Sequence, residues 1–325
     1  MFKFDSVPAE KLHGFASGVK GWEGGTLPSE TWLVPLPHDV RQELERVAEN
    51  VRVSSAQPTT LLLDDFDLPR SRILMRDIRE RLDHGVGFAV LDRLSVNEFG
   101  KTELKSIYWL LSQMIGPVVE QSPDGTVLHD VRDTGKKMSE RVRGDLTNQE
   151  LNWHTDNGFS TPPKYFGLAV LRTAKQGGES KAVNLVTAHE YLARGSPDLL
   201  RRLYDPFYWR RIGDGGDETT SQYPVFGELY RQFVCRVNRR VIEAGYVAAG
   251  RTLDAAGRDA LNALYEVLDQ PGIAFSYRLE PGQMQWMNNY ALAHHRTTFV
   301  DWEEEDRRRH LVRIYMRDAG SHYGD

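Results

Sequence analysis

Cysteine occurs once in this chain, at Cys235. A single thiol excludes an intramolecular disulfide and any zinc or iron–sulfur site built on cysteine. No run of apolar residues approaches the length that a membrane-spanning helix needs, and the opening Met-Phe-Lys-Phe-Asp-Ser lacks the apolar stretch of a secretory signal. The expected location is therefore cytoplasmic. Charge of neither sign dominates: 41 Lys and Arg stand against 46 Asp and Glu, a net charge of −5, with the two signs interspersed. That balance disfavours a nucleic-acid or anionic-membrane surface and leaves a small molecule as the expected partner. The densest basic run, Arg307-Arg308-Arg309, directly follows the acidic Glu303 to Asp306, and such a run is ordinarily a solvated turn. Internal repeats and low-complexity segments are also missing. So are a Ser/His/Asp order suited to acyl transfer and a glycine-rich phosphate loop.

What is present is a chain of 325 residues, 40% hydrophobic and 27% charged, an ordinary balance for a soluble protein with a sizeable core. The first ~35 residues, rich in Gly and Pro, read as an irregular arm. Helical spacing of Val40, Leu44 and Val47 predicts a helix over Asp39 to Val51, and similar patterns predict helices over Arg72 to Leu82 and Asn97 to Met114. Thr59 to Leu63 and Gly87 to Leu91 read as strands. Beyond Gly116-Pro117 strands prevail: Thr126 to Val131, Tyr165 to Thr173, Lys181 to Val186, Ile273 to Leu279, Met284 to Met287 and His310 to Met316. Gly177-Gly178 marks a turn, and Gly227-Glu228 reads as a hairpin turn between Tyr223 to Phe226 and Leu229 to Val237. Further helices are predicted over Thr187 to Ala193, Pro197 to Tyr204 and Leu253 to Leu268. Strands this close together do not suit a parallel doubly wound sheet; an antiparallel barrel or sandwich with flanking helices suits them better.

His154-Thr155-Asp156 carries the chemistry. In an extended segment side chains alternate, so a His-x-Asp step puts an imidazole and a carboxylate on one side. A third imidazole from a distant strand would complete two histidines and one carboxylate, a set that leaves one face of the metal open and suits Fe(II) working with O2. His294 and His295 are the candidates, and only one of them can face a metal from a strand. A 2-oxo acid would occupy two of the open positions and O2 the third. The far carboxylate of such an acid needs a cation that stays charged when buried, which favours arginine. Arg309 and Arg313, four apart in a strand-like segment, point the same way and are candidates, with Ser180 as a hydroxyl partner.

Taken in order, Trp153-His154-Thr155-Asp156, Arg172-Thr173-Ala174, Gly177-Gly178-Glu179-Ser180, Pro281-Gly282, Asn288-Asn289, His294-His295-Arg296-Thr297-Thr298-Phe299 and Arg309-His310-Leu311-Val312-Arg313 resemble the taurine dioxygenase and clavaminate synthase type of Fe(II)/2-oxoglutarate-dependent oxygenases (the TauD/TfdA family). The resemblance runs from about residue 120 to 317. It implies a mainly β fold, a double-stranded β-helix (jelly roll) with helices packed on one sheet, and a single domain over 1–325 with an irregular arm at about 1–35. By position it makes His154, Asp156 and His294 the iron ligands and Arg309 the residue for the C5 carboxylate of 2-oxoglutarate. Ser180 falls where a threonine usually supports that cosubstrate, and Arg313 matches a second arginine able to touch cosubstrate or substrate. The ligand aspartate is intact, so halogenation is not expected. The implied reaction consumes O2, converts 2-oxoglutarate to succinate and CO2, and hydroxylates, desaturates or cyclises at an unactivated C–H.

The segment of about 195–250, with Tyr204, Phe207, Tyr208, Trp209, Arg210 and Arg211, reads either as a lid or as an insertion with its own small core. Asn157 is a candidate substrate neighbour by proximity. The arginine-rich surroundings favour a small polar substrate bearing a carboxylate, such as an amino acid or a carrier-bound relative. Two other classes compete: a zinc- or manganese-dependent hydrolase or isomerase on the same ligands, which has no use for Arg309, and a binding jelly roll in which His154→Ala would leave function intact. The sequence leaves the oligomeric state open.

Overall fold

The computed structural model describes residues 18–122, 124–139, 142–210, 219–229 and 231–318. The beginning of the predicted arm and Arg211 lie outside the described residues. Two antiparallel-rich sheets form the centre. The larger, seven-stranded sheet runs in the order Leu33–Val34, Phe88–Leu91, Met284–Asn288, Tyr165–Arg172, His310–Met316, Val118–Val119, with His129–Val131 also pairing to His310–Met316. The smaller, four-stranded sheet runs Phe275–Tyr277, Ser180–Asn184, Leu292–Arg296, Leu151–His154. Phe88, Phe166, Val170 and Leu311 of the first sheet share one buried cluster with Ala182, Tyr277 and Leu292 of the second, so the sheets pack face to face as a jelly roll.

Alternation along His310–Met316 decides what lies where. Val312, Ile314 and Met316 point out into the helical layer, while Leu311 and Tyr315 point into the sandwich. Arg313 has the parity of the inward pair and is carried with them into the interior. The helical layer is His38–Ser54, Pro69–His84 and Lys101–Ile115. Leu44, Val47 and Val51 meet Met75, Ile78 and Leu82 at the three- and four-residue spacings of helices. Leu68, at the N-cap of Pro69–His84, has no side chain to cap with. Glu43 of the previous helix does so instead, its carboxylate accepting from the backbone N–H groups of Arg70 (2.9 Å) and Ser71 (2.8 Å).

A second helical group, Leu185–Gly195, Pro197–Leu203, Arg239–Ala248 and Ala255–Leu268, covers the outer side of the smaller sheet through Val183, Ala293 and Trp153. The aromatic run of the 195–250 segment belongs to this core: Phe207 and Trp209 are fully buried in it. Among the described residues, the part of the segment that reaches the central cavity is Asn238, Arg239, Arg240, Val241 and Glu243. Among the described residues, no helix is long and apolar enough to cross a membrane.

Two local expectations are corrected, and one helix is added. Thr59 to Leu63 forms no strand: Pro58–Thr60 is a short 3-10 turn, because Pro58 removes a ladder donor and the Leu61 carbonyl is taken by the Trp109 indole at 2.9 Å. The hairpin turns three residues later than expected. Gly227-Glu228 lies within strand Phe226–Leu229, which pairs with Gln232–Cys235, and the reversal uses Arg231 in the left-handed region (φ 61). The helix Arg239–Ala248 was not anticipated, since two arginines at its start oppose the helix dipole; the Asn238 side chain caps it on Val241 N.

The chain leaves the last strand through an ionic clasp. Asp318 meets Arg79 at 2.9 Å and Lys164 at 3.0 Å, and accepts from the Gln232 amide at 3.1 Å. Burial alone would raise this carboxyl, but Lys164, Gln232 and Arg79 outweigh it and hold it at about 2, below its ordinary 3.8. Asp318→Asn is expected to cost about 1 kcal/mol at neutral pH. A depressed carboxyl contributes in full above 3.8 and loses its contribution as pH falls toward about 2. Melting curves of the variant and the parent should therefore differ at pH 7 and converge in strong acid; identical curves at pH 7 would show the clasp to be inert.

Candidate metal centre

The edge strand Leu151–His154 pairs antiparallel with Leu292–Arg296, which sets His294 directly opposite His154, ring centroids 4.0 Å apart. One extra residue is accommodated in the proximal strand before the next pair, Arg296 with Leu151. Such bulges re-aim side chains next to functional sites. Thr155 then leaves the sheet to pair with Val237, donating its N–H at 2.8 Å and accepting from Val237 N on its hydroxyl at 3.1 Å. Asp156 follows and returns to the side of His154. Ligand atoms of His154, Asp156 and His294 all lie within 4.8 Å of one another. His295 points to the other side of its strand, against Glu150 at 2.7 Å and the Trp153 ring.

What holds Asp156 is Asn289, which is fully buried. Its side-chain oxygen accepts the Asp156 N–H at 2.7 Å, and its amide donates to the Asp156 and Pro163 carbonyls, each at 3.0 Å. Asn157, next in line, takes a left-handed backbone (φ 58), which asparagine tolerates, and lines the cavity. Asn289→Ala would strand a buried N–H and two carbonyls. It is expected to cost about 2–4 kcal/mol of stability and, by freeing the Asp156 segment, ~10–100-fold in divalent-metal affinity. Chemical denaturation and metal titration of the same variant check the pair of effects; loss of stability with metal affinity intact would confine Asn289 to a structural role.

The protonation states suit a metal. Burial lowers His154 and lowers His294 well below the usual imidazole range, favouring the neutral, ligating form. His154 Nδ1 donates to the Asn152 carbonyl at 2.8 Å, which leaves Nε2 as the free acceptor. Burial by itself would raise Asp156, but the charge of Arg313 brings it below the ordinary carboxylate value. Asp156 Oδ2 and His294 Nδ1 are both buried without a hydrogen-bond partner. Two neutral imidazoles and a carboxylate, with Asp156 Oδ2 and His294 Nδ1 lacking protein partners, make a donor set that fits a divalent ion.

Arg313 stands behind this group. It lies 3.6 Å from Asp156 and 3.1 Å from Asp145, and donates to Gln121 Oε1 at 2.8 Å. Asp145 also meets Arg143 at 3.0 Å and His129 at 3.1 Å. Burial opposes the charge of Asp145, but Arg313, His129 and Arg143 together hold its carboxyl far below the usual range. In Arg313 burial is outweighed by Tyr315, Asp156 and Asp145, and its guanidinium is shifted up.

Arg309 is placed differently. Its backbone N–H donates to Asp301 at 2.7 Å, but the residue is only 6% exposed and its guanidinium has Nη1 buried without an acceptor. Burial, with Arg296 nearby, pushes it from 12.5 down to about 9. Arg309 and Arg296 lie over the Phe299 ring, 5.1 and 4.9 Å from its centroid. Phe299 is fixed by pairing with Gly177. Gly177 has φ 74, and a Cβ there would sit 2.3 Å from the Thr298 carbonyl oxygen, so the turn admits only glycine. Ser180 is paired across the sheet with Arg296 on one side and Tyr277 on the other.

Every predicted site residue, His154, Asp156, His294, Ser180, Arg309 and Arg313, lines one cavity of about 990 Å³. Asp145, Gln121 and the anchoring role of Asn289 were not foreseen. Nothing local in Gly144-Asp145-Leu146 distinguishes that aspartate, whereas the Asn288-Asn289 pair was part of the resemblance without a role attached.

Residues 53–315 match the family described as taurine catabolism dioxygenase TauD, TfdA family. FR-33289 synthase of Streptomyces rubellomurinus (strain ATCC 31215) is 27% identical over 292 residues, covering 88% of this chain and 85% of its own length. Taurine hydroxylase-like protein SAT17 of Stachybotrys chartarum (strain CBS 109288 / IBT 7711) is 24% identical over 323 residues, 95% of this chain and 82% of that protein. Among solved structures, an asparagine oxygenase in complex with Fe(II), 2S,3S-3-hydroxyasparagine and succinate superposes with a TM-score of 0.67 at 17% identity, covering 88% of this chain and 93% of the other. The non-heme iron oxygenase OrfP in complex with Fe and alpha-ketoglutaric acid gives 0.65 at 18% identity, with coverage of 88% and 93%.

Proposed function

The chain belongs to the taurine catabolism dioxygenase family (TauD, TfdA), and from that premise we propose that His154, Asp156 and His294 hold a ferrous ion while Arg309 and Ser180 bind the far carboxylate of 2-oxoglutarate. The observation that carries this reading is the pairing, in one cavity, of a three-residue donor set with unpartnered polar atoms and a buried arginine whose Nη1 has no acceptor. A zinc or manganese hydrolase on the same ligands would leave the cost of burying Arg309 without compensation.

When bound, iron and cosubstrate supply the oxidation: O2 is consumed, 2-oxoglutarate becomes succinate and CO2, and one substrate C–H is oxidised. The protein's part is positional. His154 is oriented by its Nδ1 bond to Asn152 O, Asp156 by the Asn289 clamp, and His294 by its place in a central strand. Arg313 favours the ionised form of Asp156. Phe166, packed on the His294 ring at 4.5 Å, and Leu311 line the cavity and help exclude water.

The substrate reading is a small polar molecule bearing a carboxylate, such as an amino acid. Support comes from the cavity wall, which carries Arg143, Lys181 and Arg239 together with Glu150, Glu243 and Asp269, charges of both signs that suit a zwitterion. The two structural neighbours were captured with such chemistry, hydroxyasparagine in one and, for OrfP, (3S)-hydroxy-L-Arg. Anaerobic addition of Fe(II) and 2-oxoglutarate to the purified chain is expected to give a weak visible charge-transfer band that neither gives alone. Absence of the band, with both bound, would overturn the cofactor assignment. A binding preference for a neutral lipid over amino acids would overturn the substrate class.

A further inference from the structure

We infer that Arg296, together with Arg309, binds the distal carboxylate of the 2-oxo acid cosubstrate. This rests on the reading of Arg309 given above and adds a second cation to that pocket.

Arg296 is 6% exposed. Its Nη2 donates to the backbone carbonyls of Thr147 and Gln149. Those bonds hold the 147–149 segment, and a neutral amide could make them without burying a charge. The rest of the guanidinium is not used by them: Nε and Nη1 are buried and have no acceptor. Arg309 shows the same deficit at Nη1. Among the described residues neither guanidinium forms a close ion pair with a carboxylate; Asp145 and Asp133 attract Arg296, and Asp301 attracts Arg309, only at longer range. Both lie over the Phe299 ring, at 4.9 and 5.1 Å, and both line the cavity with Ser180, which is the cross-strand partner of Arg296. Two like charges gathered in a dry pocket repel each other and have lost their water. An anion with two acceptor oxygens offsets both costs, and a carboxylate presents the paired lone pairs that guanidinium N–H groups match. The pocket is thus selective for a dicarboxylic 2-oxo acid over a monocarboxylic one of equal length.

The test compares 2-oxoglutarate with 2-oxopentanoate, which has the same chain length and no distal carboxylate. Affinities are measured by calorimetry on the anaerobic ferrous chain, so turnover is not the readout. The parent is expected to prefer the dicarboxylate strongly. Arg296→Gln should shrink that preference about tenfold or more while leaving 2-oxopentanoate binding unchanged, and Arg296→Lys should restore part of it. No preference in the parent would sink the underlying reading of Arg309. A parent preference that survives intact in Arg296→Gln overturns the inference alone. So does an equal loss of affinity for both acids, which is what a role limited to holding residues 147–149 produces. Should Arg296→Gln fail to fold, the Arg309→Gln/Ser180→Ala double variant decides: a remaining several-fold preference is expected from Arg296, and its absence overturns the proposal.

Discussion

His294→Leu is expected to abolish ferrous binding and yet leave the metal-free protein more stable than its parent. The first effect follows from the ligand set. His294 supplies one of three donors, and even residues that merely orient a ligand change affinity ~10–100-fold, so removing a donor should exceed ~100-fold. The second follows from what the imidazole does without a metal. Burial pushes it well below its usual titration range, and its Nδ1 is buried with no partner. It packs 4.5 Å from the Phe166 ring and 4.0 Å from the His154 ring, centroid to centroid. Leucine occupies similar space without an unsatisfied nitrogen, a change of about 1–3 kcal/mol in favour of the fold. Adding Fe(II) should reverse the order, because a ligand that binds only the native state stabilises it by about 2.7 kcal/mol at a hundredfold excess over Kd. Melting curves with and without Fe(II) under argon test the crossover. A variant that gains as much as the parent from Fe(II), or that melts lower than the parent without it, would remove His294 from the site.

Such a site is legible in sequence only where its geometry is local. His154-Thr155-Asp156 could be read because alternation in an extended segment is a property of three residues, and His310–Met316 because its apolar positions declare a strand buried on both faces. Joining these to His294 and Arg309 needed the ordered resemblance, since nothing in local spacing says that strand Leu292–Arg296 lies beside Leu151–His154. The residues that escaped notice share one property: their roles are set by partners far along the chain. Asn289 reaches Asp156 across 133 positions, and Arg313 reaches Asp145 from a strand far later in the chain. The aromatic run at Phe207 to Trp209 invited a lid reading because composition cannot distinguish a ring over a cavity from one in a core. The displaced hairpin turn has the same origin: Gly227 is the residue whose freedom suits a reversal, and the chain places Arg231 in the left-handed region instead.

Arg309→Gln is the second substitution with a large expected effect, and its signature differs from that of His294→Leu. Arginine keeps its charge even where water is scarce. Here burial and Arg296 drive its guanidinium from 12.5 down to about 9. A bound carboxylate removes that tension, so truncation forfeits a buried charge pair, about 2–5 kcal/mol. The expected result is a rise in KM for 2-oxoglutarate of ~30-fold to more than a thousandfold. kcat at saturating cosubstrate should fall far less, because the distal carboxylate is held equally in the ground state and the transition state. Metal affinity should stay within about twofold of the parent, since no hydrogen bond or ion pair joins Arg309 to His154, Asp156 or His294 among the described residues and uniform loss at one end of the cosubstrate leaves the donor set untouched. Steady-state kinetics of succinate formation, run beside a metal titration, separates the outcomes. A collapse of kcat with KM unchanged would place Arg309 at the reacting end of the cavity, and the orientation proposed for 2-oxoglutarate would have to be reversed.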